Sequence, residues 1–265
     1  MKDLFSANLW GSSFYDLLAS SSPSLLPRLD LGGVEEQKAL ASLPRGTTVL
    51  ALRYRDGVVI AGDRLATEGY QVAGRRIEKV YKADEHSAIA IAGVAGPCLE
   101  LVHLFQTELE HYEKLEGVEL STEGKANKLT QMIKANFPFA LQGLVVIPIF
   151  AGYDTRRGEG KIYKYDLTGG RYEETDYHAT GSGGREARAT LKRLYKKDMS
   201  EEEALRAALE ALLDASEEDL GTAGPDFLRD IYPTTKRVTR EGITDVEEDR
   251  VKALYQAIME ERRRA

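Results

Sequence analysis

Two threonines and an aspartate near residue 50 are the side chains best suited to chemistry in this sequence. Gly46-Thr47-Thr48 lies at the end of an N-terminal leader, and Gly62-Asp63 follows a short β-rich stretch. If the chain is cut after Gly46, Thr47 becomes an N-terminus with a hydroxyl nucleophile and a free α-amine beside it. That amine, with an unperturbed pKa of about 7.7–8.0, can serve as the base that a weak hydroxyl needs. The junction therefore indicates a self-cleaving nucleophile that is inactive before cleavage, because an amide nitrogen is not basic.

A predicted β-hairpin brings Asp63 close to this threonine. Residues 48–54 are rich in β-formers, Asp56-Gly57 is a turn pair, and residues 58–61 run back. Since a strand rises about 3.3 Å per residue, we expect the Asp63 carboxylate within roughly ten ångströms of Thr47.

Lys79 belongs to a second β-rich pair, which we predict over residues 70–73 and 76–82, before a strand over 87–92. A strand lysine near an aspartate is most often an ordinary ion pair. The Gly-Thr junction favours the other interpretation, in which a fixed positive charge assists the nucleophile.

The rest of the chain alternates between groups of strands and groups of helices. The spacing of apolar residues predicts helices over 97–114, 122–136, 183–196, 200–217 and 246–264, and strands over 143–152, 161–166, 171–177, 227–232 and 235–239. Ser200 and Glu203 form a capping box at the start of one helix. Grouped strands and paired helices favour sheets covered by helix layers over a βαβ fold.

The leader, residues 1–46, contains Ser20-Ser21-Ser22-Pro23-Ser24 and a short predicted helix at about 12–19. A disordered tail is one interpretation. Because the leader ends at the Gly-Thr junction, we predict instead a propeptide over 1–46 that is removed autocatalytically, and a domain over 47–265.

Composition excludes several classes of protein. The 265 residues carry a net charge of −7, without the basic excess typical of nucleic-acid binding. The sequence contains no run of about 18 apolar residues, so we do not expect a membrane span. The one cysteine, Cys98, indicates a buried structural thiol and a reducing, cytoplasmic location. The four histidines lack metal-ligand spacing, so we expect neither a metal nor a cofactor.

A set of short motifs resembles, in order and spacing, the catalytic proteasome β-subunits, which are N-terminal-nucleophile (Ntn) hydrolases. The motifs are Gly46-Thr47-Thr48-Val49, Gly62-Asp63-Arg64, Lys79, Ala92-Gly93, Gly181-Ser182-Gly183 and Asp219. The long leader and Gly224-Pro225-Asp226 look most like the bacterial 20S proteasomes of actinobacteria. The resemblance implies an α+β fold, a four-layer αββα sandwich of two packed antiparallel sheets flanked by helix layers. It also implies a threonine endopeptidase.

The resemblance implies a role for each matching residue. Thr47 would be the nucleophile and its freed amine the proton shuttle. Lys79 would favour the deprotonated amine and the developing alkoxide, with Asp63 holding the lysine charged and in place. Gly93 would offer its backbone N–H to the tetrahedral oxyanion.

Ser182 and Asp219 resemble the pair that orients the α-amine. By itself the glycine-rich segment at 181–184 could also cradle a phosphate, although it lacks the Gly-Lys-Ser/Thr ending of a P-loop. One residue departs from the family pattern, because Ala223 stands where a glycine is usual. An alanine would be strained there if the position needed a positive φ.

By the same resemblance, five residues form the substrate pocket for the residue before the cut. They are Ala66, Thr67, Ile77, Ile91 and Ala95. None is charged, and most are small or apolar, so we expect cleavage after apolar or aromatic residues.

The family's architecture implies partners as well. They are proteasome α-subunits and further copies of this chain in stacked heptameric rings, a ring ATPase or other activator, and unfolded protein or peptide as substrate. The alternative is a structural, non-catalytic β-type subunit. A two-ring bacterial protease relative and a small-molecule amidase of the same superfamily are further alternatives, the former disfavoured by the long leader.

Overall fold

The computed structural model describes residues 46–68 and 71–264, with nothing stated for the side chain of Glu68. The leader helix predicted at about 12–19 lies outside the described residues. The strands are β1 Thr48–Tyr54, β2 Gly57–Gly62, β3 Ala66–Glu68, β4 Gln71–Gly74, β5 Val80–Asp84, β6 Ser87–Gly93, β7 Val146–Asp154, β8 Glu159–Tyr165, β9 Arg171–Glu174, β10 Tyr177–Gly181, β11 Thr234–Thr239 and β12 Gly242–Asp245. The helices are α1 Ala95–Glu116, α2 Thr122–Ala140, α3 Gly184–Leu194, α4 Glu201–Glu218 and α5 Glu248–Arg264.

Most of the strands form two five-stranded antiparallel sheets. The first has the order β10-β1-β2-β11-β12 and the second β5-β6-β7-β8-β9, while β3 and β4 form a separate hairpin. In the first sheet Val49 pairs with Gly62, so Asp63 emerges beside the start of β1.

The side chains of β1 contribute alternately to two hydrophobic cores, since successive side chains of a strand point to opposite faces. Val49 and Ala51 join the core between the two sheets. Leu50 and Leu52 join a second core formed with α3, α4 and α5. On the far side, Ile89 and neighbours pack against α1 and α2. The four-layer αββα sandwich is therefore confirmed.

The helix predictions agree with the structure to within a few residues, and the Ser200–Glu203 capping box is present. Two of the strand predictions differ from the structure because the strands there pair with partners that the local sequence does not indicate. The predicted strand over 76–82 begins only at Val80, and β4 pairs with β3 instead of with β5. The run over 171–177 is divided between β9 in the second sheet and β10 in the first.

The predicted strand over 227–232 is wrong. The Asp226 carboxylate accepts hydrogen bonds from the backbone N–H groups of Leu228 and Arg229, both at 3.1 Å. These bonds turn the chain, as aspartate side chains commonly do, and leave only a bridge between Asp226 and Ile231. The sequence prediction also missed β3 and β12.

No helix in residues 46–68 and 71–264 is long and apolar enough to cross a membrane.

Candidate active site

Thr47 stands at the start of β1, where the end of β10 closes over it. Its side chain and backbone are almost completely buried, with 5% of the residue exposed. Its carbonyl accepts a 2.8 Å hydrogen bond from the N–H of Ser182. Its hydroxyl donates to the carbonyl oxygen of Gly46 at 2.5 Å. The nucleophile candidate thus lies against the bond that would have to be cut.

Asp63 is fully buried, and four donors surround its carboxylate. Oδ1 accepts from the N–H of Thr48 at 2.8 Å and from Lys79 Nζ at 2.7 Å. Oδ2 accepts from the N–H groups of Leu65 at 2.9 Å and Ala223 at 3.2 Å. A buried carboxylate needs such partners, and these fix it in one orientation.

Lys79 is 4% exposed and precedes β5. Besides its ion pair with Asp63, its ammonium donates a 3.1 Å hydrogen bond to the carbonyl oxygen of Gly46. Burial lowers the pKa of Lys79, although the charge of Asp63 opposes that shift. The lysine therefore joins the aspartate to the carbonyl that Thr47 also contacts.

Ser182 and Asp219 lie on the other side of Thr47. Ser182 Oγ is 3.3 Å from the nitrogen of Thr47 and donates to Asp219 Oδ2 at 2.5 Å. Gly181 has a φ of +101°, and a Cβ there would lie 2.0 Å from the carbonyl oxygen of Thr47. Only glycine lets β10 approach Thr47 so closely.

A pair of buried threonines completes this side of the site. Thr48 Oγ1 and Thr222 Oγ1 are 2.5 Å apart, and Thr222 donates to Asp219 Oδ2 at 2.6 Å. Sequence reasoning assigned no role to Thr48, because the two residues are 174 positions apart and no local pattern links them.

Ala223 fits its position without strain. Among the described residues other than glycine, only Asp198 and Asp230 have a positive φ. The departure from the family pattern therefore does not distort the backbone, and the N–H of Ala223 bonds to Asp63.

Gly93 ends β6 at the rim of the site. Its φ is +136°, and a Cβ there would lie 2.0 Å from the carbonyl oxygen of Val145. Both observations require glycine.

A pocket opens next to Thr47, Lys79 and Gly93, and four of the five predicted pocket residues line it. The predicted residues that line it are Ala66, Ile77, Ile91 and Ala95, and the others are Gly46, Glu78, Tyr81, Cys98 and Leu99. Thr67 is the exception, because its hydroxyl instead accepts a 3.3 Å hydrogen bond from the N–H of Gly46. The sequence prediction did not include Glu78, Tyr81, Cys98 or Leu99 in this pocket.

Cys98 is buried in the pocket wall. Burial raises the pKa of its thiol to about 12, although the nearby charge of Lys79 opposes the shift. A thiol with so high a pKa is a poor nucleophile at neutral pH.

The arrangement combines a hydroxyl, a buried lysine–aspartate pair, a hydroxyl–carboxylate pair at the nitrogen of Thr47 and an adjacent pocket. A hydroxyl nucleophile with these supports is suited to acyl transfer.

Comparisons with known proteins point to one family. The protein family described as proteasome subunit matches residues 43–225. A protein of Acidimicrobium ferrooxidans named proteasome subunit beta is 54% identical over 214 residues, which is 81% of this chain and 78% of that protein. Relatives with the same name from Acidothermus cellulolyticus and Streptomyces griseus are 48% and 47% identical. They match 94% and 95% of this chain and 86% and 89% of their own lengths. The chain therefore belongs to the proteasome subunit family, among relatives that are β-subunits of actinobacteria.

Proposed function

We propose that this chain is the precursor of a catalytic proteasome β-subunit, a threonine-type endopeptidase that cleaves itself between Gly46 and Thr47. The observation that carries the proposal is the contact of the Thr47 hydroxyl and the Lys79 ammonium with one carbonyl oxygen, that of Gly46. The leader, residues 1–46, would be removed, and residues 47–265 would be the mature subunit.

In self-cleavage, Thr47 Oγ would attack the carbonyl carbon of Gly46. Lys79 would donate to the oxygen as it becomes negative, which is how charged donors lower such barriers. The C–N bond then breaks, the nitrogen of Thr47 takes up the proton that the hydroxyl gave up, and Gly46 is left as an ester on Oγ. Water hydrolyses the ester and releases the leader with a free carboxylate.

In the mature enzyme the α-amine of Thr47 would take the hydroxyl proton and return it to the leaving amine of the substrate. Ser182 and Asp219 would orient that amine, and Lys79 with Asp63 would stabilise the alkoxide. Gly93 would donate its N–H to the oxyanion. The acyl-enzyme ester is then hydrolysed by water, which regenerates the threonine.

A proteasome subunit assembles into a multi-subunit core. We propose that the partners here are α-subunits and copies of this chain in stacked heptameric rings, served by a ring ATPase or other activator in the cytoplasm. Unfolded protein would be the substrate. Exposed apolar residues on the outer helices and the segments that follow them are consistent with such packing; among them are Leu104, Leu115, Val118, Phe139 and Leu141.

The alternative of a structural, non-catalytic subunit does not account for the buried Lys79–Asp63 pair. Such a pair is costly to desolvate, and a purely apolar replacement would stabilise the fold at least as well.

The test is the intact mass of the chain after co-expression with an α-type subunit, for wild type and Thr47→Ala. We expect the assembled wild type to lose its leader and become about 5 kDa lighter, since 46 of the 265 residues of a 29.4 kDa chain depart. Thr47→Ala should keep its full mass, whereas Thr107→Ala, on the exposed surface of α1, should mature normally. A wild type that stays uncut in assembled particles would support the structural alternative.

A further inference from the structure

Thr48 connects the two carboxylates of the site through two different groups. Its backbone N–H donates to Asp63 Oδ1 at 2.8 Å. Its hydroxyl contacts Thr222 Oγ1 at 2.5 Å and accepts the N–H of Gly183 at 3.0 Å. The residue is fully buried, so water does not compete for these bonds.

The protons in this chain of bonds can be arranged in only one direction. An ionised carboxylate only accepts, so the single hydroxyl proton of Thr222 goes to Asp219. The proton between the two threonines must then come from Thr48. The bonds therefore run from the N–H of Gly183 through Thr48 and Thr222 to Asp219. Gly183 is the N-cap of α3, so the chain starts at the positive end of a helix dipole.

The same carboxylate oxygen fixes Ser182. Asp219 Oδ2 accepts the proton of Ser182 at 2.5 Å, which leaves a lone pair of the serine oxygen facing the nitrogen of Thr47 at 3.3 Å. After cleavage the amine of Thr47 would donate to this oxygen. The lone pair of the amine nitrogen would then remain available to accept the proton of the Thr47 hydroxyl.

Gly183 makes room for the arrangement, because a Cβ there would lie 2.6 Å from Thr48 Oγ1. The hydroxyl of Thr48 is thus packed tightly, and valine has nearly the same shape without the donor. Serine keeps the hydroxyl and loses only a methyl group.

We propose that Thr48 is a positioning residue, which orients Asp219 through Thr222 and thereby sets the direction in which Ser182 meets the amine of Thr47. The inference rests on the proposed function, since it assigns a role within the same site.

The test compares Thr48→Val with Thr48→Ser in the full-length chain, with activity expressed per mature subunit counted by intact mass. We expect Thr48→Val to lower kcat for a short peptide about tenfold with KM unchanged, since one buried hydrogen bond is lost. Without the Thr48 donor the Thr222 hydroxyl is less polarised and donates more weakly to Asp219, so the less neutralised carboxylate favours the charged amine. The acid limb of kcat/KM should therefore move up by about half a pH unit. Thr48→Ser should stay within about twofold of wild type.

A purely structural hydroxyl gives a different result. Thr48→Val would then lower the melting temperature but leave kcat and the pH profile of the mature subunit unchanged, and that outcome would overturn the proposal. If Thr48→Val does not accumulate or mature, Thr222→Val breaks the same chain one bond further along and is judged by the same criteria. A wild type without peptidase activity would instead overturn the proposed function itself.

Discussion

The ammonium of Lys79 lies 3.1 Å from the carbonyl oxygen of Gly46. The Thr47 hydroxyl contacts the same oxygen at 2.5 Å. Because a C=O bond is about 1.23 Å long, the carbonyl carbon is no more than about 3.7 Å from the hydroxyl. That is close to the separation at which reacting atoms attack. The uncut chain thus already places the Thr47 hydroxyl and the Lys79 ammonium against the same carbonyl oxygen of the Gly46–Thr47 bond.

Replacing Lys79 by alanine should stop self-cleavage and destabilise the fold. The change removes the donor to the Gly46 carbonyl and leaves Asp63 buried without its cation, which typically costs about 3–5 kcal/mol. Intact-mass time courses and melting temperatures measure the two effects. Lys82→Ala is the matched control, because Lys82 is half exposed and pairs with Glu85 at the surface. Normal maturation of Lys79→Ala would contradict the role proposed for this lysine.

Gly46→Ala should slow self-cleavage about 100-fold, because small displacements of a reacting group have effects of this size. A Cβ on Gly46 would lie 2.6 Å from Thr67 Oγ1 and 2.7 Å from the backbone of Gly221, so the carbonyl must move. The rate of leader loss by intact mass is the measurement. Gly96→Ala serves as the control, since a Cβ there meets nothing within 4 Å. Equal rates for the two variants would show that the space around Gly46 does not matter.

The pocket beside Thr47 should favour apolar or aromatic residues before the cut. Ala66, Ile77, Ile91 and Ala95 line it with small or apolar surfaces. Short peptides ending in leucine or tyrosine at that position should have higher kcat/KM than those ending in arginine or glutamate. Ala95→Leu, which fills the pocket, should lower kcat/KM for tyrosine about tenfold while hardly affecting a peptide with alanine there. The reverse order of peptides would refute the assignment.

His178 should make the protein sensitive to mild acid. Burial lowers its pKa from 6.5 to about 4; the charges of Lys164 and Arg188 act in the same direction, while Glu174 opposes them. In the unfolded chain His178 therefore binds a proton below about pH 6.5, whereas in the folded chain it stays neutral down to about pH 4. Stability is full above this range and falls on acidification through it, by up to about 3 kcal/mol.

The measurement for His178 is the melting temperature between pH 7 and pH 4 at fixed protein concentration. His178→Asn should lose less stability over this range than wild type does. His103→Asn, on the exposed surface of α1, should behave like wild type. Parallel curves for all three proteins would exclude His178 as the source.

Local patterns in the sequence were enough for much of the fold. The Asp56-Gly57 turn pair and the β-formers around it place Asp63 beside the start of β1, and periodicity places the helices. These features depend on neighbours a few residues apart, whose geometry is fixed by backbone sterics and by the period of the helix or strand. Family membership followed from the order of the motifs, and the comparisons confirmed it.

The tertiary structure alone decided which distant groups meet. It divided the run over 171–177 between two sheets and thereby brought Ser182 to Thr47, 135 residues earlier. It also brought the hydroxyls of Thr48 and Thr222 into hydrogen-bond contact and placed Ala223 where its backbone needs no positive φ. Such contacts depend on how whole sheets and helices pack, because most buried polar groups form hydrogen bonds with whichever groups the fold brings close to them. The sequence therefore singled out Thr47 as the candidate nucleophile, and the packing of the layers determined what surrounds it.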